Sequence, residues 1–151
     1  MPNEKRSQAF AFRYALESGE LVAGFVVAPK TINAPLPVII YNRGGTADFG
    51  LVNTGQIMLT LATLASWGYV VIGTQYTGNK LSDGKDEWGG MDLDAVQQLS
   101  VIIDSLDCAD STKIYMLGGS RGAMMSYMLL RRASWIKAFV QSLGLVMRKN
   151  F

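Results

Sequence analysis

The sequence predicts an α/β fold: a mostly parallel sheet with helices on both faces and an antiparallel hairpin at its start. Three observations carry this. Four short runs read as strands, two of them, "VIIY" and "YVVIGTQY", with the apolar composition of buried strands. Between them lie segments with apolar residues at helical spacing. Ahead of them, two alternating stretches are joined by a glycine-containing turn.

The elements follow in order. "QAFAFRYALE" (residues 8–17) alternates as a strand, "SGE" is the turn, and "LVAGFVVAP" (21–29) returns as the second arm. "KTINAPLP" is a proline-punctuated loop. "VIIY" (38–41) is the first buried strand, followed by the glycine-rich loop "NRGGTADFG". A helix is expected from about Thr54, with Ile57, Leu61, Leu64 and Ala65 on one face and Gly68 as its stop. "YVVIGTQY" (69–76) is the next strand and "TGNKLSDGKDEWGG" a long polar loop. Asp92 is expected to cap a helix whose core face is Val96, Leu99, Ile103 and Leu106. "DCADST" is a turn, "KIYMLG" (113–118) a strand, Arg121 to about Arg132 a helix, and "IKAFVQS" (136–142) the last strand. The methionines at 124, 125 and 128 belong to the core face of that last helix.

Composition removes several function classes. Apolar residues make up 49% and charged residues 17%, which excludes a disordered chain. A net charge of +2 without a basic run gives no nucleic-acid surface. Cys108 is the single cysteine and there is no histidine, so neither a disulfide nor a Cys/His metal site is expected. Residues 49–79 carry no charge, but polar residues and Gly68 interrupt them, so a buried helix and strand are expected rather than a membrane span. No signal-peptide pattern opens the sequence, and a cytoplasmic location is the expectation.

The chemistry-bearing motif is Gly118-Gly119-Ser120-Arg121-Gly122, a G-x-S-x-G with a strand before it and a helix after it. A serine on a strained turn needs small neighbours, and a helix N-terminus turns free N–H groups toward developing negative charge. Gly44 and Gly45 follow the 38–41 strand, where acyl-transfer chemistry needs a further N–H donor; a plain tight turn would also suit them. The acidic residues Asp83, Asp86, Glu87, Asp92 and Asp94 lack calcium-loop spacing and are expected to be a solvated loop and helix-start charges. Trp88 either packs over the site or anchors its loop.

Taken together, "VIIYNRGGT", "YTGNKLSDGKDEWGGMDLDAV" and "MLGGSRGAMMSYMLL" resemble the α/β-hydrolase fold, and within it the catalytic domain of prolyl oligopeptidase-like serine peptidases, over about residues 20–140. The resemblance implies that Ser120 is the nucleophile of an acyl-enzyme mechanism acting on a peptide or small ester. It implies an oxyanion hole built from the backbone N–H of Arg121 and one from Gly44 or Gly45, with no cofactor and no metal. Arg43 departs from the histidine that commonly precedes the glycine pair.

The triad of this fold runs Ser, Asp or Glu, His in chain order, yet no acidic residue follows Ser120 and no histidine occurs anywhere. Residues 1–151 are therefore expected to be one partial α/β-hydrolase domain, truncated after about the sixth strand. Residues 1–19 form its N-terminal strand region and 141–151 an atypical tail. The chain alone is expected to be inactive or very weak as a serine hydrolase. Lys137, on the last strand, is expected at the end opposite the motif and out of reach as a substitute base. The alternatives are a non-catalytic fragment or pseudoenzyme, and an interaction module that pairs through its last strand with itself or a complementing chain.

Overall fold

The computed structural model describes residues 6–142. The remainder of the expected tail, 143–151, lies outside them, as do residues 1–5. Six strands form one sheet in the order β1-β2-β4-β3-β5-β6. β1 (Ser7–Ala15) and β2 (Leu21–Pro29) make the antiparallel hairpin, and β2 also runs antiparallel to β4 (Val70–Thr74). β3 (Leu36–Asn42) lies parallel to β4 on one side and to β5 (Ala109–Gly118) on the other. β6 (Ile136–Gln141) extends the parallel set beyond β5.

The alternating strand pattern becomes two apolar layers. Val38, Ile40, Val70, Ile72, Ile114 and Met116 face α3 (Met91–Asp104) and α4 (Arg121–Leu130). Leu93, Val96, Leu99 and Ile103 of α3 and Met125 and Leu129 of α4 complete this layer, while Met124 and Met128 pack at its margin. On the opposite face Phe25, Val27 and Val71 meet Val52, Leu61 and Ala65. A fully buried leucine or valine contributes about 1.5–3 kcal/mol, so these two layers hold the helices to the sheet.

Two elements differ from the expectation. The helix after Asn53 is continuous but not regular: α1 (Thr54–Gln56) passes into a π turn (Ile57–Leu61) and then α2 (Ala62–Ser66). The wider turn adds a residue, so Ala62 joins Leu61 and Ala65 in the core while Ile57 and Leu64 are half-buried. Gly68 closes the helix in the left-handed region at φ +91°, its N–H donating to the Ala65 carbonyl. β5 starts earlier than expected: Ala109 and Asp110, placed in a turn by their composition, pair with Leu36 and Pro37 before a register shift.

No helix among the described residues is long and apolar enough to cross a membrane. The uncharged 49–79 stretch is divided among a loop, the broken helix and β4.

The strand order reverses at β3: its successor β4 lies to one side, and β5 crosses to the other. Ligands of open α/β sheets bind beyond the carboxyl ends of strands at such a reversal. The loop after β3, the loop after β4 and the turn after β5 all emerge there.

Candidate active site

Ser120 is the second of the two residues between β5 and α4, with φ 53° and ψ −123°. This left-handed backbone is strained for a side chain bearing a Cβ. The surrounding glycines make the strain tolerable by admitting close approach. A Cβ on Gly122 would land on the Asn42 carbonyl, and one on Gly118 would land on the carbonyl of Gly122. A Cβ on Gly119 would sit 2.6 Å from the Ser142 carbonyl oxygen. Ser120 itself is exposed, presented beyond the carboxyl end of β5 with no histidine in the sequence to take its proton.

The loop after β3 packs directly on this turn. A Cβ at Gly44 would lie 3.3 Å from the Gly119 carbonyl oxygen and 3.5 Å from Ser120 Cβ. Gly45 has φ +79°, which favours glycine, and a Cβ there would strike the Phe49 carbonyl. Gly45 thus serves the tight turn, while Gly44 makes the close approach to the Ser120 turn. The N–H groups of Gly44, Gly45 and Arg121 donate to no protein acceptor among the described residues. Arg121 is the first residue of α4, so its N–H is one of the helix's free donors.

Arg43 takes an unexpected place. It is fully buried and acts as an internal brace. Its guanidinium donates twice to the Gln75 carbonyl, at 2.9 and 2.6 Å, and once each to the carbonyls of Gly44, Phe49 and Ala47 at 3.0–3.2 Å. One cation thus collects the carbonyls that a tight loop would otherwise leave unsatisfied. Burial pulls its pKa below the ordinary value.

Arg121 is the second fully buried guanidinium. It pairs with Asp92 at 2.6 Å and Asp86 at 2.5 Å, and donates to the Gly45 carbonyl at 3.1 Å. The Tyr76 ring lies 4.9 Å from the Arg43 guanidinium and 4.7 Å from that of Arg121. The Tyr76 hydroxyl donates to the Arg43 carbonyl at 2.9 Å, and burial pushes its pKa up.

Asp83, Glu87 and Asp94 are exposed, with Asp94 in the first turn of α3 as expected, but Asp86 and Asp92 correct the sequence expectation. Asp92 does not cap α3. Gly90 stands at the cap position, and the Glu87 carboxylate accepts from Met91 N–H at 2.8 Å. Asp92 is fully buried; it accepts from the backbone of Thr77, Glu87 and Trp88 and from the Thr77 hydroxyl, and it pairs with Arg121. Asp86 is largely covered too, so these two are not solvated loop charges. Burial works to raise the Asp86 pKa, but donors from Thr46, Arg121 and Ala47 outweigh it and hold the carboxyl below its usual range. Trp88 does what each alternative asked. Its ring covers the Arg121 guanidinium at 5.0 Å, and its Nε1–H donates to Thr46 Oγ1 at 3.2 Å.

Four non-glycine residues among those described have φ in the left-handed region: Ala47, Tyr76, Trp88 and Ser120. All four belong to this one assembly. Such strain persists only where surrounding contacts over-determine the backbone, and it concentrates at functional sites. Sequence reasoning found Ser120, Arg121, Gly44, Gly45, Gly118, Gly119 and Gly122, and they converge here. It did not find Tyr76, Asp86 or Asp92 as members. Lys137 stands near the start of β6, while Gln141 at its far end pairs with Gly118. That separation is about 13 Å along the strand at ~3.3 Å per residue, which leaves Lys137 out of reach of Ser120.

No protein-family model matches the chain. It is similar to the uncharacterized peptidase YtmA of Bacillus subtilis, 28% identical over 110 residues, covering 73% of this chain and 41% of that protein. Its structure resembles a puromycin-hydrolyzing peptidase of Mycobacterium tuberculosis, with a TM-score of 0.74 at 21% identity, covering 92% of this chain and 22% of the other. It also resembles the acylaminoacyl peptidase of Pyrococcus horikoshii, with a TM-score of 0.72 at 20% identity, covering 93% and 24%. At such identities structural likeness establishes the fold, and the chain has the α/β-hydrolase fold. It spans less than half the length of the curated relative it matches.

Proposed function

We propose that Ser120 is the nucleophile of a serine hydrolase site of prolyl oligopeptidase-like type, acting on peptide or ester bonds, and that residues 1–151 hold this site without its base. One observation carries the reading. An exposed serine in strained left-handed backbone packs against Gly44, and the N–H groups of Arg121, Gly44 and Gly45 have no protein acceptor among the described residues. The peptidase names among the relatives support the same class.

The chemistry follows from those groups. Ser120 Oγ attacks the acyl carbon, and its proton passes to a base as the new C–O bond forms. The carbonyl oxygen becomes an oxyanion and accepts from the Arg121 N–H and from Gly44 or Gly45. A single donor of this kind accounts for about 10²–10³ in turnover. The C–N or C–O bond then breaks, the proton goes to the leaving group, and water releases the acyl group from Oγ. With neither histidine nor a downstream acid in the 151 residues, the proton has no acceptor beyond solvent. Sites stripped of triad members retain only about 10³–10⁴ over water.

Supplying the base tests this. With p-nitrophenyl acetate, added imidazole raises hydrolysis by the chain above the rate of imidazole alone, and Ser120→Ala abolishes the increment. Equal rates for parent and Ser120→Ala at every imidazole concentration would sink the assignment.

A second reading draws on β6. Its outer edge has no strand partner among the described residues, and Val140 is 62% exposed beside an open apolar groove of about 410 Å³ that includes Tyr115, Leu117 and Trp67. An interaction module pairing through this strand would use that face.

A further inference from the structure

The 77–90 loop contributes no reacting group to the mechanism above, yet it is bound on two sides by charge. Asp92 secures it from within. Its carboxylate accepts from the N–H groups of Thr77, Glu87 and Trp88, at 3.1, 3.0 and 2.8 Å. Asp86 then joins it to both halves of the candidate oxyanion hole. One carboxylate oxygen pairs with Arg121 Nη2 at 2.5 Å. The other accepts from the Thr46 hydroxyl at 2.5 Å and from Ala47 N–H. Thr46 in turn accepts from Trp88 Nε1, and the Trp88 ring lies on the Arg121 guanidinium.

These contacts close a ring: Trp88 to Thr46, Thr46 to Asp86, Asp86 to Arg121, and Arg121 back to Trp88. The ring spans three separate elements, namely the loop after β3, the loop after β4 and the turn after β5. Two of its members stand next to the proposed donors. Thr46 follows Gly45, and Arg121 carries the N–H that follows Ser120. Two ring or ring-adjacent residues, Ala47 and Trp88, are held in left-handed backbone, which contacts of this strength are able to impose.

We propose that Asp86 is a positioning residue, the clasp that sets the distance between the Gly44/Gly45 N–H groups and the Arg121 N–H, with Trp88 closing the ring over it. The inference rests on the serine-hydrolase reading of the site. It assigns the acidic loop the task of fixing the oxyanion hole rather than of binding substrate. Preorganised donors gain their effect from fixed geometry, and a displacement of about 1 Å is enough to lose about 10²-fold in rate.

The test uses the full chain in a Trp67→Phe/Trp135→Phe background, so that Trp88 is the single tryptophan. Asp86→Asn keeps the shape and removes the charge. Asp83→Asn removes a charge from the same loop outside the ring. The first readout is Trp88 emission. Asp86→Asn shifts it to the red as the indole leaves the guanidinium, and Asp83→Asn leaves it unchanged. The second is the imidazole-dependent hydrolysis of p-nitrophenyl acetate. Asp86→Asn lowers turnover about 10–10²-fold with KM within twofold, because acyl transfer is impaired and access is not. Circular dichroism of both variants matches the parent.

Unshifted Trp88 emission in Asp86→Asn, or turnover within twofold of the parent, overturns the clasp even where Ser120→Ala abolishes hydrolysis. Loss of Ser120 dependence in the parent strikes the serine-hydrolase reading instead, and the clasp is then judged on Trp88 emission alone.

Discussion

Ser120, Arg43 and Asp86 show how much of this site is decided by single side chains. Arg43 is fully buried among backbone carbonyls of the loops after β3 and β4. Its planar fork reaches four carbonyls at once, which lysine's single ammonium cannot do. Arg43→Lys is therefore expected to destabilise the chain by about 1–3 kcal/mol, the cost of leaving a buried polar group unsatisfied, read as a fall in the denaturation midpoint. Asp86 gives a pH prediction. Its folded pKa is depressed, so the ion pair and hydrogen bonds stabilise the fold above the unfolded carboxylate value of about 3.9. That contribution is lost as pH falls through the lower folded value. Denaturation followed downward from pH 6 is expected to show a stability loss in this acid window that is smaller in Asp86→Asn. Identical acid profiles for the two chains would contradict it. The place of Asp86 was not visible in the sequence, because its partners lie far away along the chain: Arg121 is 35 positions on and Thr46 40 positions back.

Among the elements, the strands and the two long helices were legible because burial on one or both faces fixes their apolar pattern. The Gly118–Gly122 turn was legible because close approach of Gly122 to the Asn42 carbonyl leaves no freedom in residue type. Gly122→Ala is expected to push α4 off the end of β3 and to abolish stable folding, measured by loss of a cooperative thermal transition. Two features were not legible. The π turn at Ile57–Leu61 changes the buried face by one residue without any marker in composition. The start of β5 carries a turn-like "DCADST", and only its pairing with Leu36 and Pro37 makes it a strand. The parallel pairing of β5 and β6 also sets a prediction for Lys137. Because it lies at the far end of β6 from Gly118, Lys137→Ala is expected to leave imidazole-dependent hydrolysis within twofold of the parent. A loss above tenfold would point to a lysine base.

For the molecule as a whole, the sheet order places the loops after β3, β4 and β5 around one point, so the site follows from topology as much as from motif. The same sheet presents β6 with no strand beyond it among the described residues, and with an exposed Val140. Concentration-dependent self-association is expected by analytical ultracentrifugation, and Val140→Lys is expected to reduce it, since edge charge blocks strand pairing. A monomer at all concentrations would remove the interaction reading. The proposed site combines a nucleophile turn and oxyanion donors with the lack of a histidine base in the 151 residues. Its most direct test is fluorophosphonate labelling followed by peptide mapping. The account predicts one adduct, on Ser120, that forms rapidly only when imidazole is supplied. Rapid labelling of Ser120 without imidazole, or an adduct at any other residue, would contradict it.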